Sequence, residues 1–418
     1  MLLIYGAFPP TPKTTVSTPA DDLMSPAERR AGVGLSAIYA LRMLGLFLIL
    51  PVFSLHAQTL PDGANLALVG FALGAFGLTQ AFLQVPFGML SDRIGRKPVI
   101  VFGLVIFAVG CVMAALAHDV FTLAVARVIQ GAGAISAAVT ALAADLTREQ
   151  HRTKIMAMIG SSIALTFAFS LVAAPALYGL IGMDGIFWLT GALSLLAIVV
   201  VLRGIPPEVK QERPPIPTRF VDVLRQPQLL RLNFSVLALH LMQTALWVVV
   251  PSILLHKVGL DAASHWKVYL PATLLSFVVM VPAIIIAEKR GKMRAVQLSA
   301  IGLILLVQVG FSFEPASAWL IGIWLTIFFI GFNIQEATLP SLISRVAPSD
   351  VKGAAMGLYN TVQSIGLFAG GAIGGLIVKF GGPLAVHLSC ALLSVAWLVV
   401  MLAMKFPPPR KSTVPIAA

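Results

Sequence analysis

The chain has 418 residues, of which 58% are hydrophobic and only 11% are charged, and its formal net charge is +12. Soluble domains contain about 45–50% apolar and about 25% charged residues, so this composition leaves too little polar surface to cover a soluble globule. The apolar residues form runs of about 20, the length that crosses ~30 Å of hydrocarbon as a helix. Because these runs are long and do not alternate, they indicate membrane-spanning helices.

The basic residues are distributed unevenly along the chain. Of the 29 Lys and Arg residues, two lie inside apolar runs and three at one set of their ends, whereas the others lie at the termini and in every second loop. This positive-inside distribution predicts that both termini are cytoplasmic, and we expect the inner membrane of a bacterium. No basic stripe with interleaved aromatic residues occurs, which argues against nucleic acid as a partner.

Taken in chain order, the elements predict an all-α polytopic membrane protein of about twelve spans. Residues 1–32 are predicted to be a disordered cytoplasmic segment, and six spans then form an N-terminal bundle over 33–203. The proline-rich, basic segment 204–231 is predicted to be a cytoplasmic linker. Six further spans form a C-terminal bundle over 232–404, and 405–418 is a cytoplasmic tail. The spans are predicted at 33–56, 66–90, 98–117, 120–144, 154–181, 185–203, 232–256, 266–287, 294–312, 317–343, 352–379 and 383–404.

The two predicted bundles repeat each other. At an offset of 200 residues, Pro51 and His56 of the first span align with Pro251 and His256 of the seventh. A parallel repeat of six spans is a transporter architecture in which the substrate site lies between the halves, near the middle of the membrane.

The loop between the second and third spans carries the pattern G-x-L-x-D-R-x-G-R-K. Its glycines permit a tight turn at the membrane surface, and its acid lies among cations with which it can pair. A weaker copy recurs in the second bundle at an offset of 196 residues. The pattern and its copy resemble the signature of the major facilitator superfamily. The motif residues are Gly88, Asp92, Arg93, Gly95 and Arg96, and those of the copy are Glu288, Lys289, Gly291 and Lys292.

The fourth span contains Arg127, Gln130 and Gly131 in the spacing R-x-x-Q-G, which resembles a second motif of the same superfamily. The first span, which contains Arg42, is similar to that of the YajR-type drug/proton antiporters, and the resemblance covers about residues 33–404. Unlike those transporters, the chain is expected to carry no additional soluble C-terminal domain. The fifth span has fewer glycines than is usual in drug/proton antiporters, so the resemblance implies the fold more directly than it implies export.

The resemblance also implies that the loop motif is a cytoplasmic gate. In the superfamily, its Asp and its second Arg latch the two halves together in the outward-facing state. Carried over to this chain, Asp92 and Arg96 would engage Asp145 at the inner end of the fourth span and the start of the eleventh span. Ser349 or Asp350 is the predicted N-cap there, and the positive end of that helix would attract Asp92.

Three side chains inside spans are candidates for proton coupling, because ionisable groups are costly in a membrane. Glu336 is the only acid well within a span, and desolvation favours the protonated form of a carboxyl group; the alternative is a structural hydrogen bond or ion pair. Arg42 lies near the midplane and would respond electrostatically. His240 can titrate, although an intramembrane histidine is more often a packing residue. Arg127 is equally deep, and it serves either function or helix packing.

Polar and aromatic side chains of the first, seventh, tenth and eleventh spans are predicted to line the substrate cavity. In the superfamily, the first, fourth, seventh and tenth spans surround that cavity. The candidates of the seventh span follow helical spacing on one face. The cavity candidates are Tyr39, Arg42, Asn233, Gln243, Trp247, Asn333, Gln335, Tyr359, Asn360 and Gln363.

The leading hypothesis is a monomeric secondary transporter that exports small amphipathic compounds, such as drugs, in exchange for protons by alternating access. No G-x-x-x-x-G-K-[ST] pattern for nucleotide binding and no clustered His/Cys set occurs. We therefore expect neither an enzyme nor a metal or cofactor. In this hypothesis the proton is the coupling ion. Cys111 and Cys390 are predicted to be buried thiols.

Two alternatives stay open. The first is a symporter or facilitator for a small metabolite such as an organic anion. An anion would be suited by the presence of two buried arginines and only one buried acid. The second is a non-transporting membrane sensor built on the same fold. The transported compound, its direction and the proton stoichiometry are not defined by the residues.

Overall fold

A computed structural model describes residues 23–207, 223–348 and 351–408, and of residues 149, 150 and 153 the backbone alone. The predicted N-caps Ser349 and Asp350 and the middle of the predicted linker lie outside the described residues, as do most of the predicted N-terminal segment and tail. The described residues form helices and contain no strand, which confirms the all-α prediction. The helices are α1 Pro26–Phe47, α2 Leu50–Thr59, α3 Leu66–Ile94, α4 Arg96–Ala115, α5 Val120–Ala132, α6 Ser136–Asp145, α7 Glu149–Val199, α8 Pro227–His256, α9 Trp266–Lys289, α10 Met293–Ser312, α11 Ala318–Val346 and α12 Lys352–Leu402.

Two of the helices, α7 and α12, are too long to be single spans. Each has 51 residues, which is roughly 76 Å of helix against ~30 Å of hydrocarbon. Each also contains one glycine with a non-helical backbone, Gly182 at φ 67° and ψ −176° and Gly382 at φ 70° and ψ −176°. That conformation is essentially restricted to glycine. Each long helix therefore consists of two arms joined at a sharp bend, and the two bends lie 200 residues apart, as the repeat predicts.

Contacts with α1 show that the two arms of α7 run antiparallel. A β-carbon placed on Gly32 would lie 3.3 Å from the side chain of Ile155, and one on Gly34 would lie 3.2 Å from that of Ile205. Because Ile155 precedes the bend and Ile205 follows it, both arms reach the same end of the bundle. The described residues contain 10 helical segments of span length. With α7 and α12 each counted as two spans, they give the predicted twelve.

The repeat extends to individual hydrogen bonds. Lys97 Nζ donates to the carbonyl of Ile205 at 2.8 Å, and Arg294 Nη2 donates to the carbonyl of Leu402 at 3.1 Å, each over a separation of 108 residues. In both halves a cation at the start of the third span thus binds a carbonyl at the end of the sixth, where the helix dipole favours positive charge.

The first and seventh spans begin earlier than predicted, so their predicted starts at residues 33 and 232 are corrected. Helix α1 begins at Pro26 because Ser25 and Glu28 form a capping box, in which each side chain binds the other residue's backbone N–H. Helix α8 begins with Pro227 in its first turn, a position where the missing N–H of proline costs nothing. Hydropathy marks the apolar part of a helix, whereas these caps lie beyond it.

The fourth span, predicted over 120–144, is observed over Val120–Asp145 and is interrupted near its middle. The helix stops at Ala132 and restarts at Ser136, and Gly133 has φ −73° and ψ 53°. The break leaves the Gly133 carbonyl without a helical partner, and Arg42 Nη2 donates to it at 3.0 Å. The first span is interrupted in a similar way between α1 and α2.

We call the end of the bundle at which α1 begins the terminal face and the opposite end the distal face. The halves meet most closely toward the distal face, along a glycine seam formed by Gly70, Gly74, Gly77, Gly371 and Gly375. A β-carbon on Gly70 would lie 2.3 Å from the carbonyl oxygen of Gly371, and one on Gly74 would lie 2.6 Å from that of Phe368. Small residues allow helix backbones to approach this closely.

Other contacts between the halves also lie on the distal side. Ser54 Oγ donates to the carbonyl of Trp247 at 3.1 Å, and Gly179 approaches Ala263. Within the described ranges, the hydrogen bonds, ring contacts and glycine contacts that join the halves extend from the distal face only to the level of Phe167 and Ser364. Among the described residues, the contacts that join the halves therefore lie on the distal side.

The N-terminus of α1 is fixed to the loop before α7 by a buried carboxylate. Glu28 accepts from Arg148 Nε at 3.0 Å, from its Nη2 at 2.9 Å and from its backbone N–H at 3.0 Å. Glu28→Ala removes the carboxylate that accepts these hydrogen bonds from Arg148. We therefore expect it to lower the free energy of unfolding by about 2 kcal/mol. Thermal unfolding of the purified protein in detergent measures this. The exposed Lys257–Glu314 pair is the control, and Glu314→Gln should change stability by about 0–1 kcal/mol. An equal response of both variants would contradict the prediction.

Candidate substrate and proton site

Three of the predicted polar residues meet in the second half, although they come from three helices. His240 of α8 places Nε2 3.3 Å from Glu336 Oε2 of α11. Gln363 of α12 contacts both, with its Nε2 2.7 Å from His240 Nε2 and 3.5 Å from Glu336 Oε1. We call these residues, together with Tyr359 one turn before Gln363, the acid cluster. The sequence predicts each member separately, and the fold brings them together.

The hydrogen bonds of His240 define what its second nitrogen can do. Its Nδ1 lies 3.0 Å from the carbonyl oxygen of Val236, which can only accept, so Nδ1 carries a hydrogen. In the neutral imidazole Nε2 is therefore an acceptor. That acceptor is already satisfied, because Gln363 donates to it. Glu336 Oε2 lies 3.3 Å from the same nitrogen but has no hydrogen-bond partner among the described residues. The cluster thus places an unpaired carboxyl oxygen beside an imidazole.

The exposure of the two partners differs. The side chain of Glu336 is 38% exposed, whereas that of His240 is 4% exposed. The Oε2 atom of Glu336 is itself buried, so the exposure belongs to the rest of that side chain. Tyr359 is buried and its hydroxyl has no hydrogen-bond partner among the described residues. The acid cluster is thus open at Glu336 and closed behind it.

An aromatic layer separates the acid cluster from the distal face. Phe332 of α11 lies edge-on to the His240 ring at 6.0 Å. Phe167, from the first arm of α7, contacts Phe329 and Phe332 at 6.2 and 6.1 Å, which joins the halves. Trp247 is fully buried and lies 6.4 Å from Phe329. The sequence does not predict Phe167, Phe329 or Phe332 as residues of the site. A phenylalanine in a membrane helix looks the same in the sequence whether it closes a cavity or faces lipid.

The first half contains a second polar group, around Arg42. The guanidinium donates to Gln80 Oε1 and Ser136 Oγ, both at 3.3 Å, as well as to the Gly133 carbonyl at the break of the fourth span. Tyr39 donates its hydroxyl to the Ser136 carbonyl at 3.0 Å. Arg42 is only 1% exposed, and its described partners are all neutral. It is a buried positive charge held by dipoles rather than by an acid.

The R-x-x-Q-G motif joins the fourth span to its neighbours. Arg127 Nη1 donates to Gln130 Oε1 at 2.6 Å, and its guanidinium lies 5.1 Å from the centre of the Phe76 ring. Gln130 in turn donates to Sγ of Cys111 at 3.3 Å. A β-carbon on Gly131 would lie 2.1 Å from the carbonyl oxygen of Phe76, so only glycine fits there. Cys111 is buried, as predicted, and so is Cys390.

The loop motif is assembled at the terminal face. Arg96 forms an ion pair with Asp92, donates from Nε to Asp145 Oδ2 at 3.2 Å, and donates from Nη1 to Ser91 Oγ at 2.7 Å. Gly95, with φ 104°, makes the turn between the two helices. The described residues show no contact between Asp92 and α12. The predicted partners Ser349 and Asp350 lie outside the described residues, so the second part of the latch stays a prediction.

The copy of the motif in the second half lacks the acid partner. Gly291 makes the corresponding turn with φ 65°, and Lys289 and Lys292 are exposed. Arg345 occupies the position that corresponds to Asp145 at an offset of 200 residues. Because Lys292 and Arg345 are both cations, this half cannot form the ion pair that Arg96 and Asp145 form in the other.

This asymmetry predicts unequal effects of two charge substitutions. We expect Asp145→Asn to slow exchange of labelled substrate in proteoliposomes by roughly fivefold, which corresponds to a coupling energy of about 1 kcal/mol. Arg96→Gln should have the same effect, and the double variant should be no slower than either. Lys292→Gln in the copy is the matched control, with unchanged exchange. Additive effects of the two substitutions would contradict a functional pair.

Several predicted cavity residues instead join neighbouring helices. Asn333 donates to Ser276 Oγ at 2.9 Å, and Gln335 donates to the carbonyl of Gln297 at 3.1 Å. Asn233 donates to the carbonyl of Leu229 one turn earlier at 2.9 Å. Gln335 is adjacent to Glu336 and differs from it by about 100° in direction, whereas Asn333 lies three residues earlier on the same side of the helix. Of the remaining candidates, Gln243 is buried and Asn360 is half-buried.

Twelve spans in two repeated halves, closed on one side of a central polar site, define a secondary transporter of the alternating-access type. The chain belongs to the Major Facilitator Superfamily, whose sequence pattern it matches over residues 35–371. It is an integral membrane transporter of small molecules rather than an enzyme.

Individual relatives and solved structures agree with this family. The chain is 43% identical over 392 residues to the inner membrane transport protein YajR of Escherichia coli (strain K12), covering 93% of this chain and 86% of that protein. It is 26% identical over 352 residues to the multidrug resistance protein MdtH of Aeromonas salmonicida (strain A449), covering 83% and 86%. Crystal structures of the nucleoside transporter NupG and the human organic anion transporter MFSD10 superpose with TM-scores of 0.72 and 0.67, at 14% and 16% identity. Each superposition covers 90% of this chain, together with 99% of NupG and 100% of MFSD10. At these low identities, the two structures show the fold alone.

Proposed function

We propose that the chain is a proton-coupled antiporter that exports small amphipathic compounds across the bacterial inner membrane, working as a monomer with its terminal face in the cytoplasm. The observation that carries this proposal is the approach of Glu336 Oε2 to His240 Nε2 at 3.3 Å, an acid beside a base, on a glutamate whose side chain is 38% exposed. The described conformation is then inward-facing.

In this conformation the proton leaves the Glu336–His240 pair toward the cytoplasm as a compound enters from the same side. The carboxylate left behind is stabilised by Gln363 Nε2, which remains within reach of both partners. Separation of the aromatic layer and of the glycine seam exposes the site to the distal face. The compound leaves there, and a proton from that side returns to the pair. One proton moves inward for each compound that moves outward.

The names of two relatives support the membrane and the direction of transport, respectively. YajR is an inner membrane transport protein, and MdtH is a multidrug resistance protein. The apolar and aromatic surroundings of a single acid suit compounds that have both a polar and a large apolar part.

A symporter or facilitator for an organic anion is the second candidate. Arg42 and Arg127 are buried, and their described partners are neutral, so the first half has an excess of positive charge. MFSD10, which shares the fold, is named an organic anion transporter.

Direction of coupling separates the two candidates. Proteoliposomes of known protein orientation would be loaded at acidic pH, diluted into alkaline buffer, and supplied with labelled cationic, neutral or anionic amphipathic compounds. Antiport predicts that the gradient drives accumulation of a compound and that a protonophore abolishes it. Accumulation of an organic anion only when the gradient is reversed would favour symport and contradict the proposal.

A further inference from the structure

A groove between α1 and the first arm of α7 lies outside the acid cluster. It encloses about 580 Å³. Its floor and walls are mostly apolar, with Val33 61% and Leu165 71% exposed. We call it the α1–α7 groove, and it is lined by Val33, Ser36, Lys154, Ala157, Met158, Ser161, Ser162 and Leu165.

The groove has a charged end and an apolar end. Lys154 lies at the terminal-face end and is exposed, without an acidic partner among the described residues. Arg29 is also exposed and lies one turn before Val33 on the same side of α1. The acid nearest to it along α1, Glu28, is buried and bound by Arg148. The end of the groove is therefore positively charged.

The length of the groove matches one leaflet of a membrane. Lys154 and Leu165 are separated by roughly 16 Å of helix, about half of the ~30 Å hydrocarbon thickness. Part of the way along, the Ser36 hydroxyl is buried and has no partner among the described residues, whereas Ser162 donates to the Ile159 carbonyl at 2.7 Å. The groove thus offers cations at headgroup depth, an unused hydroxyl below them, and an apolar surface at the depth of the acyl chains.

We infer that the α1–α7 groove binds an anionic phospholipid of the leaflet at the terminal face, with its phosphate at Lys154 and an acyl chain along Val33 and Leu165. Cations near the surface favour anionic headgroups, by about fivefold in affinity for each Lys or Arg. A bound lipid would cover apolar surface that is exposed while the halves are separated at this face. The site is independent of the proton pair.

Native mass spectrometry of the full-length, delipidated protein tests this inference. Equal amounts of phosphatidylglycerol and phosphatidylcholine with identical chains would be titrated into wild-type protein, Lys154→Gln, Lys154→Arg and the control Lys352→Gln. We expect wild type to prefer phosphatidylglycerol by about fivefold or more, Lys154→Gln to lose that preference, and Lys154→Arg and Lys352→Gln to retain it. Glu336→Gln should retain it as well, so the result does not depend on proton coupling.

Four outcomes would overturn the inference. Equal loss of preference in Lys154→Gln and Lys352→Gln would show general surface attraction. Displacement of the lipid by glycerol phosphate alone would show a site for a free phosphate compound. No preference in wild type would show that the groove selects no anionic headgroup. Ala157→Trp, which fills the groove while the cation remains, should reduce binding of both lipids, and unchanged binding of both would place the lipid elsewhere.

Discussion

We expect Glu336→Gln to abolish gradient-driven accumulation of substrate in proteoliposomes, down to the level of protein-free liposomes. Glutamine has the shape of protonated glutamic acid, so it preserves the contacts with His240 and Gln363. It cannot release a proton, and the site remains in its proton-bound form at every pH. Glu336→Asp keeps a carboxyl group at a greater distance and should retain part of the accumulation. The measurement is uptake of labelled substrate into acid-loaded proteoliposomes.

The control for this substitution is Glu288→Gln, which neutralises an acid of the second motif copy at the terminal face. It should leave accumulation unchanged. Thermal unfolding of both variants establishes that they fold. Wild-type accumulation by Glu336→Gln would show that the carboxyl group is structural and would remove it from the coupling mechanism.

We expect Gly74→Ala to hinder closure of the distal face and to slow transport by a steric effect. The added β-carbon would lie 2.6 Å from the Phe368 carbonyl oxygen across the glycine seam, well inside the 3.5–4.0 Å of ordinary contact. The conformation closed at the distal face is destabilised, and the cycle slows. Gly302→Ala is a matched control, because a β-carbon there meets no atom within 4 Å. We expect exchange to fall by roughly tenfold or more in Gly74→Ala and not to change in Gly302→Ala.

The accessibility of an introduced cysteine measures closure of the distal face directly. Cys111 and Cys390 are both buried, and their replacement provides a background without cysteines. Val249 lines a distal cavity of about 340 Å³ and is only 2% exposed. In Gly74→Ala, a Val249→Cys reporter should react faster with a membrane-impermeant maleimide added at the distal face. Equal reactivity in the Gly74→Ala and Gly302→Ala backgrounds would show that the seam does not control this face.

The spans, the repeat and the loop motif are predictable from the sequence because each rests on local chemistry. Long apolar runs identify spans, and the glycines of the loop motif mark its turn. Arg96 and Asp145 meet as the resemblance implies. The polar residues of the seventh, tenth and eleventh spans suggest a site, and the fold joins three of them, His240, Glu336 and Gln363, in one cluster.

Features that depend on how helices face each other are not predictable in this way. The break at Gly133 is stabilised by Arg42, which lies 91 residues earlier in the chain. The direction of a polar side chain within a fully apolar helix has no periodic pattern to reveal it. Asn333 and Gln335 therefore look like cavity residues in the sequence, although they bind α9 and α10.

The two halves share a fold but differ in charge at their centres. The first half holds Arg42 among neutral partners, and the second half holds Glu336 against His240. Loss of the proton from the second half therefore leaves opposite charges in the two halves. In the proposed antiport, their attraction across the cavity couples proton release to closure at the terminal face. This follows from the proposed antiport and is tested with it.

Lumenal pH during substrate addition tests proton antiport most directly. Proteoliposomes with known protein orientation and an acidic lumen would contain a pH-sensitive dye, and pools of amphipathic compounds would be added outside. Proton antiport predicts that adding a pool that contains a transported compound causes loss of lumenal protons. This loss should be absent in Glu336→Gln. Equilibration of labelled compounds in wild type without any proton movement would contradict it and leave a facilitator in which Glu336 is structural.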